Sequence, residues 1–439
     1  MYKQISSELL SFIKKCPSCF HAVKAIKDEL DKNGFEELLE SKRWNLEMGK
    51  KYYVLRNSSS IIAFKLGDNL NEYSFNIIAS HSDSPCFKIK ENYEIESGKK
   101  FIQLNTEKYG GMIYSTWMDR PLSAAGRIVI KNEDKIESKL VNIDKDLVLI
   151  PNVAIHMNKE TNTNMKYNEQ VDLLPLYGLC ENGKNSFLEV VAGCAGVEKE
   201  NVLSTDLFLY NRMEPSFWGG NEEFISSPKL DDLQCAFSSL KAFISGMNSK
   251  SINVYCCFDN EEVGSQTKQG AESTFLSDIL TRINNNLGNS REDYLCALSS
   301  SMMLSADNAH AVHPNHPELS DPTNRVYMNE GVVIKYNANQ KYTTDAVSAA
   351  LLKEYFKKAG VPYQNYTNRS DMLGGSTLGN IASTQLSIKM ADIGLAQLSM
   401  HSSYETAGVK DTYYMYKLME EFYNSHLIEE SEGIFIITK

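Results

Sequence analysis

Between residues 19 and 33 the apolar side chains Phe20, Val23, Ile26 and Leu30 recur three or four positions apart, and Gly34 follows. That spacing predicts an amphipathic helix that stops at the glycine. Two β-rich runs, 51–56 and 60–66, flank Asn57, Ser58 and Ser59 and predict a hairpin. The apolar run 73–79 ends in Ser80-His81-Ser82-Asp83-Ser84-Pro85, so polar chemistry sits where a buried strand should stop. From about 94 to 209 the pattern changes to short alternating runs such as 126–131 and 147–150 with no long helical period, which predicts an inserted β-rich domain. Within it, residues 158–170 carry almost no apolar side chain and predict a long, mobile loop. After about 210 the α/β pattern returns. A helix is expected over 233–247, buried strands over 252–258 and 332–336, one apolar run over 295–306 before Asp307, and a closing helix over 410–423. Patterns that resume after an insertion predict a discontinuous α/β domain, 1–93 with 210–439, wrapped around an insert of 94–209.

A chain of 439 residues fits the two bodies this pattern requires. The net charge of −11 disfavours contact with a phosphate backbone, so no nucleic-acid partner is expected. No run reaches the roughly 18 apolar residues of a membrane span. Lys3, Glu8, Lys14 and Lys15 interrupt the N-terminal apolar residues, so neither a signal peptide nor a membrane anchor is expected. Nine irregularly spaced cysteines read as reduced thiols in a cytoplasmic protein. Cys16 and Cys19 form a lone CxxC ahead of the first predicted helix, with no second pair at zinc-ribbon spacing, and are read as structural.

Several apolar runs end in groups that bind hard or borderline cations: His81 and Asp83, the stretch Asp259 to Glu262, and Asp307. Ligands gather beyond the carboxyl ends of strands in open α/β sheets, so these groups could converge, joined by Asp231, Asp232 and His401 from other segments. Adjacent Glu261 and Glu262 repel each other directly after a hydrophobic strand unless positive charge compensates, and a metal ion would supply it. HExxH and GxSxG patterns are both absent.

Six strings in order, HSDSP (81–85), YGGMIYSTWMDRPLSAAGR (109–127), SPKLDDL (227–233), FDNEEVGS (258–265), SADNAHAVHPNHPE (305–318) and QLSMHSSYE (397–405), resemble the M18 metallopeptidases, the aspartyl aminopeptidase family. The resemblance implies a zinc-aminopeptidase-like α/β catalytic domain, a mixed sheet flanked by helices, interrupted by a β-rich oligomerisation domain. It also implies two zinc ions per subunit, with cobalt or manganese as substitutes. His81 and Asp307 would hold one ion, Glu262 and His401 the other, and Asp231 would bridge them. Glu261 would be the general base, and Asp83 would orient the His81 imidazole. The Asp231–Asp232 peptide would be cis.

His156 would reach a neighbouring subunit's site, and Lys335 would meet an acidic N-terminal residue of the substrate. Read without the resemblance, Lys335 is a solvated charge. The Gly374-Gly375 loop would either wall the substrate pocket or cap the helix that follows. His310, His313 and His316 are not assigned to metal. The implied activity is removal of N-terminal residues, acidic ones preferred, from peptides by a homo-oligomer, a tetrahedral dodecamer built from dimers. The alternatives are the same chemistry with neutral or broad specificity, and a non-catalytic oligomeric scaffold.

Overall fold

The computed structural model describes residues 1–70, 72–180 and 186–439. Its centre is a nine-stranded sheet built from β1 (Glu36–Glu37), β2 (Lys51–Arg56), β3 (Ser60–Lys65), β4 (Ser74–His81), β5 (Ser251–Phe258), β6 (Met302–Ala306), β7 (Val332–Lys335), β8 (Tyr363–Tyr366) and β9 (Lys389–Gly394). The spatial order is β1-β2-β3-β5-β4-β6-β9-β7-β8. Strands β5, β4, β6 and β9 run parallel, with Phe258 beside His81 in the register. Their carboxyl ends therefore open on one edge, where this arrangement places ligands.

Alternation along the strands divides the core into two layers, because successive side chains leave a strand on opposite faces. Tyr255 and Cys257 face the helices Tyr2–Ile13, Cys19–Lys32, Leu230–Ser245, Ala346–Ala359 and Asp411–Tyr423, whereas Val254, Cys256 and Phe258 face Phe275–Asn286 and Arg291–Ser299. The hairpin of β2 and β3 is present, with Arg56 paired to Ser60 across its turn.

The second body is an antiparallel six-stranded sheet, ordered Lys135–Asn142, Leu122–Asn132, Val202–Asn211, Cys86–Ser97, Phe101–Tyr109, Leu176–Leu179. Its first strand begins at Cys86 and runs through the boundary expected at 94, because the Cys86–Phe87–Ile89 pattern is already buried in the insert's own core. The sheet carries a nine-residue helix, Phe187–Ala195, closed by a Ser186/Glu189 capping box, where no helix was expected. Residues 151–175 hold turns and no strand or helix.

Two further expectations are revised. A helix, Tyr2–Ile13, precedes the one predicted at 19–33, and it buries Ile5, Leu9, Leu10, Phe12 and Ile13 while its charged residues stay outside. The apolar run 295–306 is two elements, the helix Arg291–Ser299 and β6, divided at Ser300-Ser301. A five-stranded sheet (Ser216–Trp218, Phe224–Ser227, Glu405–Gly408, Ala396–Leu398, Ala309–His310) borders the open edge of the central sheet. Among the described residues, no helix is long and apolar enough to cross a membrane.

Candidate metal centre

His81 is the last residue of β4, Asp307 follows β6 directly, and Glu261 and Glu262 form a single 3-10 turn just after β5. Asp231 and Asp232 lie where the chain enters the Leu230–Ser245 helix. Their own backbone angles are not helical, and the peptide between them is cis, as expected. His401 stands in a turn at φ 66°, ahead of the strand Glu405–Gly408. These segments bring three overlapping groups of donor atoms within 4.8 Å of one another: His81/Asp231/Asp232/Asp307, His81/Glu261/Glu262, and Asp231/Glu262/His401.

Both imidazoles are oriented by backbone. His401 Nδ1 lies 2.6 Å from the Gly111 carbonyl and His81 Nδ1 lies 3.1 Å from that of Asp83. A carbonyl only accepts, so both Nδ1 atoms carry protons and both Nε2 atoms are left to face the carboxylates. His81 Nε2 is 3.6 Å from Asp231 Oδ1, and His401 Nε2 is 3.5 Å from Asp231 Oδ2 and 3.4 Å from Glu262 Oε2. These separations are too long for good hydrogen bonds. They are close to the roughly 3.3–3.4 Å that separates donor atoms placed about 2.0–2.1 Å from a tetrahedral zinc ion.

Electrostatics point the same way. Asp231 Oδ1, Asp232 Oδ1 and Glu262 Oε1 are buried with no hydrogen-bond partner, an arrangement that costs free energy unless a cation completes it. Burial, reinforced by neighbouring carboxylates, pushes Glu261 up to about 8 and Glu262 and Asp232 well above the usual carboxylate range. Burial pushes His81 down, yet the Asp232, Asp231 and Asp83 carboxylates hold it well above its usual value. The cluster is short of positive charge. Two imidazoles with surplus buried carboxylates form a borderline N/O donor set that suits zinc.

A family model described as aminopeptidase I zinc metalloprotease (M18) matches residues 12–423. The chain belongs to the M18 family. It is therefore related to metallopeptidases that act as aminopeptidases, and its fold is theirs. A probable M18 family aminopeptidase 2 of Clostridium novyi (strain NT) is 48% identical over 427 residues, covering 96% of this chain and 99% of that protein. The aspartyl aminopeptidase of Caenorhabditis elegans is 34% identical over 451 residues, covering 96% of this chain and 95% of that protein. Among solved structures, the "S. cerevesiae mApe1 dodecamer" superposes with a TM-score of 0.84 at 28% identity, covering 96% of this chain and 97% of that one.

Other candidate residues of this M18 chain are placed less centrally. Asp83 accepts the Glu261 and Glu262 backbone N–H groups at 3.2 Å each, so its carboxylate holds the glutamate turn, while its backbone carbonyl makes the hydrogen bond to His81 Nδ1 and its Oδ1 lies 3.4 Å from the same nitrogen. Lys335 is not a solvated charge. It is 2% exposed, with Nζ 3.5 Å from Asp307 Oδ2 and 5.3 Å from the centre of the Tyr342 ring. Gly374 packs against Asn368 and Gly375 is exposed, in a loop ahead of the short helix Leu378–Ala382. His156 is exposed in the 151–175 segment.

One carboxylate went unnoticed in the sequence. Glu405, 2% exposed, accepts the backbone N–H of Asp231 at 2.9 Å and that of His401 at 2.7 Å, and burial pushes it up to about 8. Its sequence signals were its place four residues after His401 and at the end of the QLSMHSSYE string.

Proposed function

We propose that the protein is a dinuclear zinc aminopeptidase that hydrolyses the N-terminal peptide bond of peptides, with acidic N-terminal residues preferred. The observation that carries this reading is the convergence of two backbone-oriented imidazoles and buried, partner-less carboxylate oxygens at the strand ends of an M18 chain. His81 and Asp307 would hold one ion, Glu262 and His401 the other, with Asp231 shared between them. Zinc bound there supplies Lewis acidity, polarising the scissile carbonyl and acidifying water.

Glu261 is the general base in this reading. Its carboxylate accepts the proton of the attacking water and returns it to the departing amine. Without cations, burial and the Asp307, Asp83 and Asp231 carboxylates keep Glu261 protonated up to about 8. Positive charge among those carboxylates lowers that value and frees the base. Asp83 fixes the backbone that carries it.

Lys335, buried on the wall beside Asp307, is the cation proposed to meet an acidic substrate side chain, and a relative named aspartyl aminopeptidase supports this. A neutral or broad specificity is the second reading, favoured by the fact that Lys335 already has a carboxylate partner in Asp307. We further propose that the 94–209 insert assembles the chain into a dodecamer, with His156 acting at a neighbouring subunit's site. The dodecameric relative supports the assembly. Cobalt or manganese could replace zinc at these donors. All nine cysteines are free, which supports a cytoplasmic location.

The test is elemental analysis of purified protein, followed on the same sample by Asp-, Glu-, Leu- and Lys-terminated chromogenic substrates. Zinc with an Asp or Glu preference is the expected result. Failure to cleave any of them when zinc-loaded overturns the activity, and a Leu or Lys preference overturns the acidic specificity. Glu261→Gln should lower kcat by about 10²- to 10⁴-fold with metal content unchanged, and unchanged kcat overturns the base.

A further inference from the structure

Tyr109 ends the strand Phe101–Tyr109 of the inserted sheet, and the four residues after it run along the acidic cluster. Gly110, at φ +75°, lies so close to Glu262 that a Cβ at this position would sit 3.2 Å from Glu262 Cβ. The Gly111 carbonyl accepts from His401 Nδ1, and Ile113 N–H donates to the His401 carbonyl at 3.0 Å. The inserted sheet thus delivers a strap to the centre.

We propose that Tyr109 is a positioning residue for peptide hydrolysis, its hydroxyl fixing the Asp83 carboxylate that aims the Glu261–Glu262 turn. The O–H donates to Asp83 Oδ2 at 2.7 Å and accepts from Asn260 Nδ2 at 2.9 Å. The amide of Asn260 is itself fixed, because its Oδ1 accepts from Thr267 Oγ1 and Gln269 Nε2, both at 2.8 Å. Asp83 also accepts the Glu261 and Glu262 N–H groups at 3.2 Å, and its Oδ1 lies 3.4 Å from His81 Nδ1. Of these three bonds the one from Tyr109 is the shortest, so it does most to set the carboxylate plane. Burial and the Asp83 and Asp259 carboxylates push the phenol far above its ordinary range, so it remains a donor.

Removing the hydroxyl leaves a carboxylate held by two N–H bonds of 3.2 Å and by a 3.4 Å contact of its Oδ1 with His81 Nδ1, and the direction of Glu261 depends on that carboxylate. Groups that orient the machinery of a metal site are worth about 10- to 100-fold when lost.

This inference rests on Glu261 being the base, and the test keeps the two apart. In zinc-loaded full-length protein, Tyr109→Phe should lower kcat by about 10- to 100-fold, with KM and zinc content unchanged. Combined with Asp83→Ala, or with Asp83→Asn where the alanine variant does not fold, it should slow the enzyme no further than the Asp83 substitution does alone. An unchanged kcat for Tyr109→Phe, a loss that tracks zinc content, or losses that multiply in the double variant would each overturn the inference. Turnover retained by Glu261→Gln overturns the base itself. Turnover abolished there, with Tyr109→Phe at wild-type rate, overturns only the role of Tyr109.

Discussion

Substituting Lys335 by methionine removes a charge while keeping most of the stem, which packs against the backbone beside Gly394, where a Cβ would come within 3.0 Å of Lys335 Cε. At 3.5 Å, a unit pair such as Lys335 and Asp307 attracts by about 5 kcal/mol at an effective dielectric of about 20, an upper bound before desolvation. The net value of a hydrogen bond between charged groups is about 1.5–3 kcal/mol. If an acidic substrate side chain uses this cation, Lys335→Met should lower kcat/KM for Asp- and Glu-terminated substrates by about 10- to 150-fold relative to a Leu-terminated one. Initial rates on the three chromogenic substrates measure this ratio directly. Burial raises the Asp307 pKa and Lys335 pulls it back, so zinc content must be measured alongside. Because Lys335 is 2% exposed, the acidic preference of the parent protein should survive 1 M salt, whereas a surface lysine would be screened. An unchanged acidic-to-neutral ratio in a zinc-replete Lys335→Met protein refutes the assignment.

Gly110→Ala forces an L-residue to φ +75° at a cost of about 1–2 kcal/mol and presses a methyl group on Glu262, so both the melting temperature and kcat should fall. Gly98→Ala, at φ +58° with nothing within 4 Å of its Cβ, should lose stability alone, and equal kcat losses in the two variants would contradict the contact. Asp411 is fully buried, accepts the N–H groups of Asn329 and Gly331, and is pushed up to about 7 by burial. A carboxyl whose folded pKa is raised contributes stability that is complete below about pH 4 and is lost as pH rises through about 7. Denaturant titrations should therefore show the parent losing stability relative to Asp411→Asn over that window, and a constant difference would refute the shift.

What the sequence made legible follows from the range of the forces involved. Apolar runs ending in His81, Glu261 and Glu262, and Asp307 announced strand ends, and parallel pairing of β4, β5 and β6 brings those ends together. The Asp231–Asp232 cis peptide and the pairing of His401 with Glu262 came through the family resemblance, since nothing in local periodicity marks either. The helix Tyr2–Ile13 is masked in the sequence because Lys3 and Glu8 interrupt its apolar residues, and its buried stripe shows only at helical spacing. Lys335 read as solvated because the partner that makes its burial tolerable, Asp307, lies 28 residues away toward the N-terminus. Glu405 and Tyr109 lie in the strings 397–405 and 109–127, but their roles were illegible for a related reason: each acts on groups brought close only by the finished fold, Glu405 on the backbone N–H of Asp231 and His401, and Tyr109 on the side chains of Asp83 and Asn260.

The strap at residues 109–113 also bears on modularity. An engineer seeking a minimal catalyst would excise the six-stranded sheet and rejoin the chain, treating it as a detachable cassette. Such a truncation keeps His81, Asp231, Glu261, Glu262, Asp307 and His401, and discards the Gly111 carbonyl that sets the His401 tautomer and the Tyr109 hydroxyl that grips Asp83. The two bodies are separate in their cores and inseparable at the centre, so the insert cannot be lost or exchanged without re-aiming the groups it leaves behind.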